Sequence, residues 1–219
     1  MMKVKKNIYI KIRENLKDEH RHMAIPQFGS AVIVANNVGQ ILLLKKKLDG
    51  AWVVPGGVQE LGENLRYTAK RELLEETGID CSMSQLELID ILSEEGRHHV
   101  YPNGDEVYNN TALFALCHVD IDLIDLSSQE YSDHGDGNYQ VEIESVAYQW
   151  FSEDNIPDDM YDEDLVKTFY RWYKKKHLSC ESNQKKMDEF LNFTNEDIDT
   201  MIAAIDVKLA ELDSQEEVK

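Results

Sequence analysis

Between His98 and Val166 the chain contains no lysine or arginine, although aspartate and glutamate recur throughout that stretch. Over all 219 residues, 42 acidic side chains face 23 basic ones, a formal charge of −19. A surface of that sign repels a phosphate backbone, which argues against DNA or RNA as the main partner. Cysteine is scarce too. Cys81, Cys117 and Cys180 are odd in number and lack ligand spacing, so neither a disulfide framework nor a zinc site is indicated. No apolar run approaches the length that spans a bilayer. The basic stretch from Met1 to His20 lacks the apolar centre of a secretion signal. Together these absences imply a reducing, cytoplasmic setting without membrane attachment. A small anionic ligand remains compatible if divalent cations supply the positive charge.

The apolar fraction of 42% is enough for a packed core, and the length suits one domain with an appendage. Ser30–Val34 and Gln40–Leu44 read as buried strands around an Asn-Asn-Val-Gly turn. Further strand-like segments lie at Leu86–Ser93, Glu106–Val119 and Ser145–Phe151, with a turn at Pro102–Asp105. Leu165, Phe169, Trp172 and Tyr173 fall at helical spacing. Residues 179–186 read as a polar linker. Beyond it Ile198, Ile202, Ile205, Leu209 and Leu212 form the stripe of an amphipathic helix, entered through Asn195-Glu196-Asp197. That stripe must bury on its own domain, which is favoured, or on a partner subunit. The resulting division is an N-terminal segment 1–27, a domain 28–178, and a linker with a C-terminal helix 179–219.

The densest chemistry lies in GVQELGENLRYTAKRELLEETGI, Gly57 to Ile79. At about 100° per residue, Glu72, Glu75 and Glu76 share one stripe of a helix, and Glu63 belongs near its start. Like charges so placed repel each other, and a cation among them reverses the sign. Hard divalent ions take oxygen ligands of this kind. Ala69 and Leu73 lie beside the acidic stripe and can anchor the helix to a core. Gly78 suits the position just past the helix end. Pro55-Gly56-Gly57 forms the turn into the helix, where glycine permits close backbone approach.

The stretch meets G-x5-E-x7-R-E-U-x-E-E-x-G-U, with U a bulky aliphatic, at Gly57, Glu63, Arg71, Glu72, Leu73, Glu75, Glu76, Gly78 and Ile79. It resembles the Nudix hydrolases, which cleave diphosphate bonds in nucleoside diphosphates linked to another group, using Mg2+ or Mn2+. The resemblance implies an α/β fold, an α/β/α sandwich around a mixed sheet, here with a C-terminal helical extension. It covers roughly residues 28–157. It also implies Glu72, Glu75 and Glu76 as metal ligands, direct or through water, with Glu63 and the Gly57 carbonyl completing the set. Arg71 would hold the carboxylates in place.

Members of the family often recruit one more carboxylate from a loop. Glu144, six residues ahead of Trp150, is the preferred candidate for general base, with Asp105, Glu106 and Asp136 as rivals. Lys45 and Lys46 match basic positions that contact substrate phosphates. On a strand they face opposite ways, so only one can serve the site, and Lys45 is slightly favoured. Arg97 reads as a surface residue within reach of phosphate, His98 and His99 as loop residues, and Trp52, Tyr101 and Tyr108 as aromatics able to stack on a base. The downstream proline of ADP-ribose enzymes, the tyrosine of dinucleoside polyphosphate enzymes and the upstream signature of the coenzyme A subfamily are all missing. The substrate is therefore a small nucleotide such as a nucleotide sugar, ADP-ribose or a nucleoside triphosphate, acted on by a monomer or homodimer. The alternative from another class is a ligand sensor on the same fold without turnover. A prenyl diphosphate isomerase would need a catalytic cysteine and metal histidines that nothing here supplies.

Overall fold

The computed structural model describes residues 8–101, 103–119, 124–133 and 139–176. In chain order its elements are α1 (Ile8–Asn15), β1 (Ile25–Asn36), β2 (Ile41–Lys46), β3 (Trp52–Val53), β4 (Gly56–Val58), α2 (Leu65–Thr77), β5 (Glu87–Leu92), β6 (His98–Val100), β7 (Glu106–Val119), β8 (Gln129–Asp133), β9 (Tyr139–Ile143), β10 (Ser145–Phe151) and α3 (residues 163–176). Eight strands form one mixed sheet along the path β10-β2-β1-β7-β5, and β8 pairs with β9 alone. β1 and β7 run parallel at its centre, and the other pairings are antiparallel.

Alternation along β1 explains the layering. Val32 and Val34 join Leu42, Leu44, Ala112, Phe114, Ala69 and Leu73 in the core beneath α2. Residues of the other parity, Ile33, Ile41, Leu43 and Leu113, are just as fully buried, so both faces of the sheet are covered. α3 buries Leu165, Val166, Phe169 and Tyr170, and the Tyr170 hydroxyl donates to the Gly39 carbonyl in the β1–β2 turn. These layers match the mixed sandwich expected from the sequence. β1 also changes neighbours: Gly29, Ser30 and Ala31 pair with β4, whereas Ala35 pairs with β2. This partner exchange lies beside the Pro55-Gly56-Gly57 turn, whose Pro55 carbonyl accepts from the Val32 N–H at 2.8 Å.

Two segments carry order that the sequence did not announce. His98 and His99, expected in a loop, belong with Val100 to an edge strand that pairs with Glu106–Tyr108. Three residues carry too little alternation to announce a strand, and here the neighbouring strand decides. The N-terminal segment contains α1, whose Arg13 is buried and donates to the carbonyls of Arg21, Met23 and Glu106 at 2.5–2.6 Å. The chain divides into two compact units, Met1–Arg171 and Trp172–Lys219. Of the second, only residues 172–176 are described, where the Lys176 ammonium lies 4.7 Å from the Trp172 ring centroid. The expected linker at 179–186, the amphipathic helix and Cys180 lie outside the described residues, as does Asp136. Among the described residues, Cys81 and Cys117 form no disulfide. Among the described residues no helix is long and apolar enough to cross a membrane.

Candidate active site

The acidic helix starts and stops where its sequence dictates. Asn64 caps α2 by accepting from the Tyr67 backbone N–H at 3.0 Å, and Gly78 closes it in the left-handed conformation at φ 73°. Thr68, Ala69, Leu73, Glu76 and Thr77 form the buried face. Ser30 ties that face to β1 by donating to the Leu65 carbonyl at 2.6 Å. Glu76 is thus a carboxylate on the core-facing side of its helix.

Arg71 organises the other carboxylates. Its Nε and Nη2 donate to the two Glu63 oxygens at 2.7 and 3.0 Å, and Nη1 donates to Glu72 Oε1 at 2.7 Å and Glu75 Oε2 at 3.0 Å. Nη2 also donates to the Val58 carbonyl at 3.0 Å, fastening helix to turn. One planar fork therefore spans three carboxylates and the β4 backbone, a task the point charge of a lysine could not perform. Glu63 sits just ahead of the helix and also accepts from the Glu60 N–H and the Thr68 hydroxyl. Burial pushes its carboxyl up, but Arg71 and these other donors outweigh that and hold it below its ordinary value.

Glycines let the turn approach the helix. A methyl group on Gly57 would stand 2.5 Å from Glu72 Oε1, and one on Gly56 would stand 2.5 Å from the Ser30 carbonyl oxygen. Gly29, which the sequence reading did not single out, is bound by the same constraint. Its Cβ would fall 2.5 Å from the Gly57 carbonyl oxygen. The Gly56 N–H donates to Glu76 Oε2 at 2.9 Å, so the turn and the buried carboxylate position each other.

Glu144 joins this group from the loop between β9 and β10. Its carboxyl group lies within hydrogen-bonding reach of Glu76 and 3.6 Å from the Lys46 ammonium. Burial, then the charge and hydrogen bond of Glu144, then the charge of Glu72 push the Glu76 carboxyl well above its ordinary value, with Lys46 opposing. Burial raises Glu72 as well, to about 7, with Arg71 pulling it down and Glu75 and Glu144 adding to the rise. The pocket thus holds more negative charge than it can solvate, a condition that binding of a proton or another cation relieves.

The lysines divide as strand alternation requires. Lys46 shares parity with Leu42 and Leu44 and faces the carboxylates, whereas the Lys45 ammonium lies 5.2 Å from the Trp52 ring centroid. The rival acids are engaged elsewhere. Asp105 bonds His22 at 2.7 Å and approaches Arg13 at 3.8 Å, and Glu106 bonds His98 at 3.0 Å. Arg97 is no surface residue: Nη2 donates to Asp162 at 2.8 Å and to Thr111 at 3.3 Å. Trp52 meets Phe151 edge-on at 4.9 Å, and Tyr108 lies against His98 at 5.0 Å.

As the side chains stand, no three acidic, imidazole or thiol groups among the described residues are arrayed around one point as a metal would require. Their oxygens are turned instead to Arg71, to the Gly56 N–H and to one another. The chemistry of the donor set still suits a hard divalent ion: the four carboxylates of the Gly57–Ile79 box, Glu63, Glu72, Glu75 and Glu76, together with Glu144, are all oxygen donors.

A family model described as NUDIX domain matches residues 26–173. A Bacillus subtilis (strain 168) protein, provisionally named an 8-oxo-dGTP diphosphatase, is 46% identical over 56 residues, 26% of this chain and 38% of that one. Nucleoside diphosphate-linked moiety X motif 6 of Xenopus laevis is 33% identical over 91 residues, 41% of this chain and 37% of that one. The chain spans less than two fifths of the length of these relatives. Among solved structures, the MutT protein of Methanosarcina mazei Go1 aligns over 69% of this chain and 96% of its own, at 19% identity and a TM-score of 0.48.

Proposed function

Since the chain belongs to the Nudix family, we propose that it hydrolyses a diphosphate bond in a small nucleoside diphosphate derivative with the help of Mg2+ or Mn2+. The observation that carries this reading is the convergence of Glu72, Glu76 and Glu144, where burial first and neighbouring negative charge second raise the Glu72 and Glu76 carboxyls. A cavity selected only for stability would have replaced at least one of these acids by an amide or an apolar residue. A divalent ion rewards the crowding.

In this reading Glu72, Glu75 and Glu76 are the metal ligands, with Glu63 and the Gly57 carbonyl completing the set. When held by these residues, Mg2+ or Mn2+ would supply positive charge against the diphosphate and make water easier to deprotonate. The chain supplies the rest. Arg71 aligns Glu63, Glu72 and Glu75 and fixes the turn through Val58. Glu144 accepts the proton of the attacking water, a role supported by its contact with Glu76. Lys46 holds a phosphate oxygen and positions Glu144 by their ion pair. Lys45, on the other side of the strand, serves the Trp52 packing. The acidic surface admits a small substrate whose charge is met by metal and excludes a polynucleotide.

The deciding experiment is phosphate and nucleotide release from nucleoside triphosphates, nucleotide sugars and ADP-ribose, with Mg2+ and with Mn2+. Turnover that disappears on chelation and in Glu76→Gln is expected. Binding without turnover across the panel would overturn hydrolysis and identify a ligand sensor.

A further inference from the structure

Tyr9 lies in the N-terminal segment, far from the carboxylates in sequence, and has no part in the chemistry described above. It stands one helical turn before Arg13 on α1, so the two side chains share a face. Arg13 fixes that face against the start of the sheet through the carbonyls of Met23 and Glu106. From this footing Tyr9 reaches β1, where its hydroxyl accepts from the Phe28 N–H at 2.8 Å.

The place of that contact follows from how β1 meets β4. In an antiparallel ladder every second residue exchanges both of its N–H···O bonds with the residue opposite. Gly29, Ser30 and Ala31 pair with Val58, Gly57 and Gly56, which sets Phe28 opposite Gln59 and Val32 opposite Pro55. The Val32 N–H donates to the Pro55 carbonyl at 2.8 Å, and the Gln59 N–H donates to the Phe28 carbonyl at 2.9 Å. Phe28 and Gln59 are therefore an exchanging pair, and the regular return bond would run from the Phe28 N–H to the Gln59 carbonyl. The Tyr9 hydroxyl takes that carbonyl's place. A side chain from another element thus ends the ladder at this point.

Beyond Gln59 the chain leaves β1 and closes on itself around Glu63. Gln59 Nε2 donates to the Glu63 carbonyl at 2.7 Å, the Glu63 N–H to the Glu60 carbonyl at 3.2 Å, and the Glu60 N–H to Glu63 Oε2 at 3.1 Å. Glu63 then meets Arg71 with both oxygens. A Gln59 carbonyl drawn onto the Phe28 N–H would add a rung to β4 and take up chain that this short loop needs. Gly29, next to Phe28, is packed so closely on the Gly57 carbonyl that a methyl there would stand 2.5 Å from its oxygen. A shift of β1 at Phe28 would therefore pass to Gly57 as well.

We propose that Tyr9 is a positioning residue for the acidic site: its hydroxyl, by accepting from the Phe28 N–H, fixes where β4 ends and so holds Glu63 and the Gly57 carbonyl in place. This rests on the hydrolase reading for the role of those two groups, but its test does not require turnover. Full-length wild type is compared with Tyr9→Phe, which deletes only the hydroxyl, and with Ile12→Ala at an exposed position of the same helix. Amide hydrogen exchange of the metal-free protein reports the loop, calorimetric titration with Mn2+ reports the ligand set, and thermal melting reports the fold. Tyr9→Phe should speed exchange of the Phe28, Glu60 and Glu63 amides about tenfold. It should weaken Mn2+ binding about threefold, less than the roughly 10–100-fold lost when a direct partner of a metal ligand is removed. Ile12→Ala should change neither. A folded Tyr9→Phe that keeps wild-type exchange at Glu60 and Glu63, or wild-type affinity for Mn2+, would reduce α1 to a structural support and overturn the proposal. If the wild type itself bound no Mn2+, the hydrolase reading would fail, and the exchange rates alone would decide whether Tyr9 sets the loop.

Discussion

The Lys46 ammonium stands 3.6 Å from Glu144 Oε1, and the Glu144 carboxylate in turn meets Glu76. A cation on β2 and an acid on the loop before β10 therefore converge on the buried carboxylate of the helix. Lys46→Met should raise KM for the nucleotide substrate, because a phosphate contact is lost. It should also lower kcat, because Glu144 is left without its counter-ion. Glu144→Gln should lower kcat by about 10²-fold or more with KM nearly unchanged, as removal of a general base does. Steady-state kinetics on the two variants check both outcomes. An unchanged rate in Glu144→Gln would remove the base assignment.

Glu76→Gln and Glu75→Gln should each reduce kcat by about 10³-fold, about 4 kcal/mol of transition-state stabilisation. Circular dichroism should report intact folds. Glu75 is the more exposed of the two, so its variant isolates metal binding from packing most cleanly.

Metal and proton compete for the same oxygens, and this fixes a pH dependence. Glu72 titrates near 7 in the folded, metal-free protein, above the ordinary carboxylate value of about 4.3 expected when unfolded. The folded state therefore binds more protons across that interval, and its stability falls as pH rises. The contribution is fully present below about 4.3 and is lost on passing 7. Glu76 is shifted in the same direction, whereas Glu63 is shifted oppositely and acts only at lower pH. Melting temperatures of the metal-free protein should fall from pH 5 to pH 8. Saturating Mg2+ should flatten that slope, and Glu72→Gln should reduce it.

Gly57→Ala tests the close approach of turn and helix. The added methyl would stand 2.5 Å from Glu72 Oε1, and relief requires Glu72 to leave its place beside Arg71. A destabilisation of about 1–3 kcal/mol is expected, as for other overpacked sites. It should come with weaker Mg2+ binding measured by calorimetry. Gly29→Ala should behave alike, although Gly29 lies outside the box, because its methyl would press on the Gly57 carbonyl oxygen and displace the same turn.

The box was legible because its chemistry is local. The spacing of Glu72, Glu75 and Glu76, the cap at Gly78 and the buried Ala69 and Leu73 all follow from helical geometry. The central strands were legible for the same reason, since their alternation is long and strongly apolar. Residues placed by distant partners were not. His99 lies on a three-residue edge strand that exists only because β7 lies beside it. Arg97 reads as surface charge until Asp162, 65 positions away, is brought to it. Lys46 could have been preferred over Lys45 by counting in twos from Leu44, had the face toward α2 been known.

The Arg13 clamp changes where this domain has to begin. The family match starts at residue 26, but Arg13 lies upstream and caps the carbonyls of Met23 and Glu106 from inside the structure. A chain trimmed to the family boundary would lose those donors and strip the buried Asp105 of both Arg13 and His22. Asp105 sits at the foot of the hairpin that carries His99 and Tyr101. Shortening the chain at that end would therefore loosen this hairpin. A recombinant version cut at residue 26 should therefore melt at a lower temperature than one that keeps Arg13.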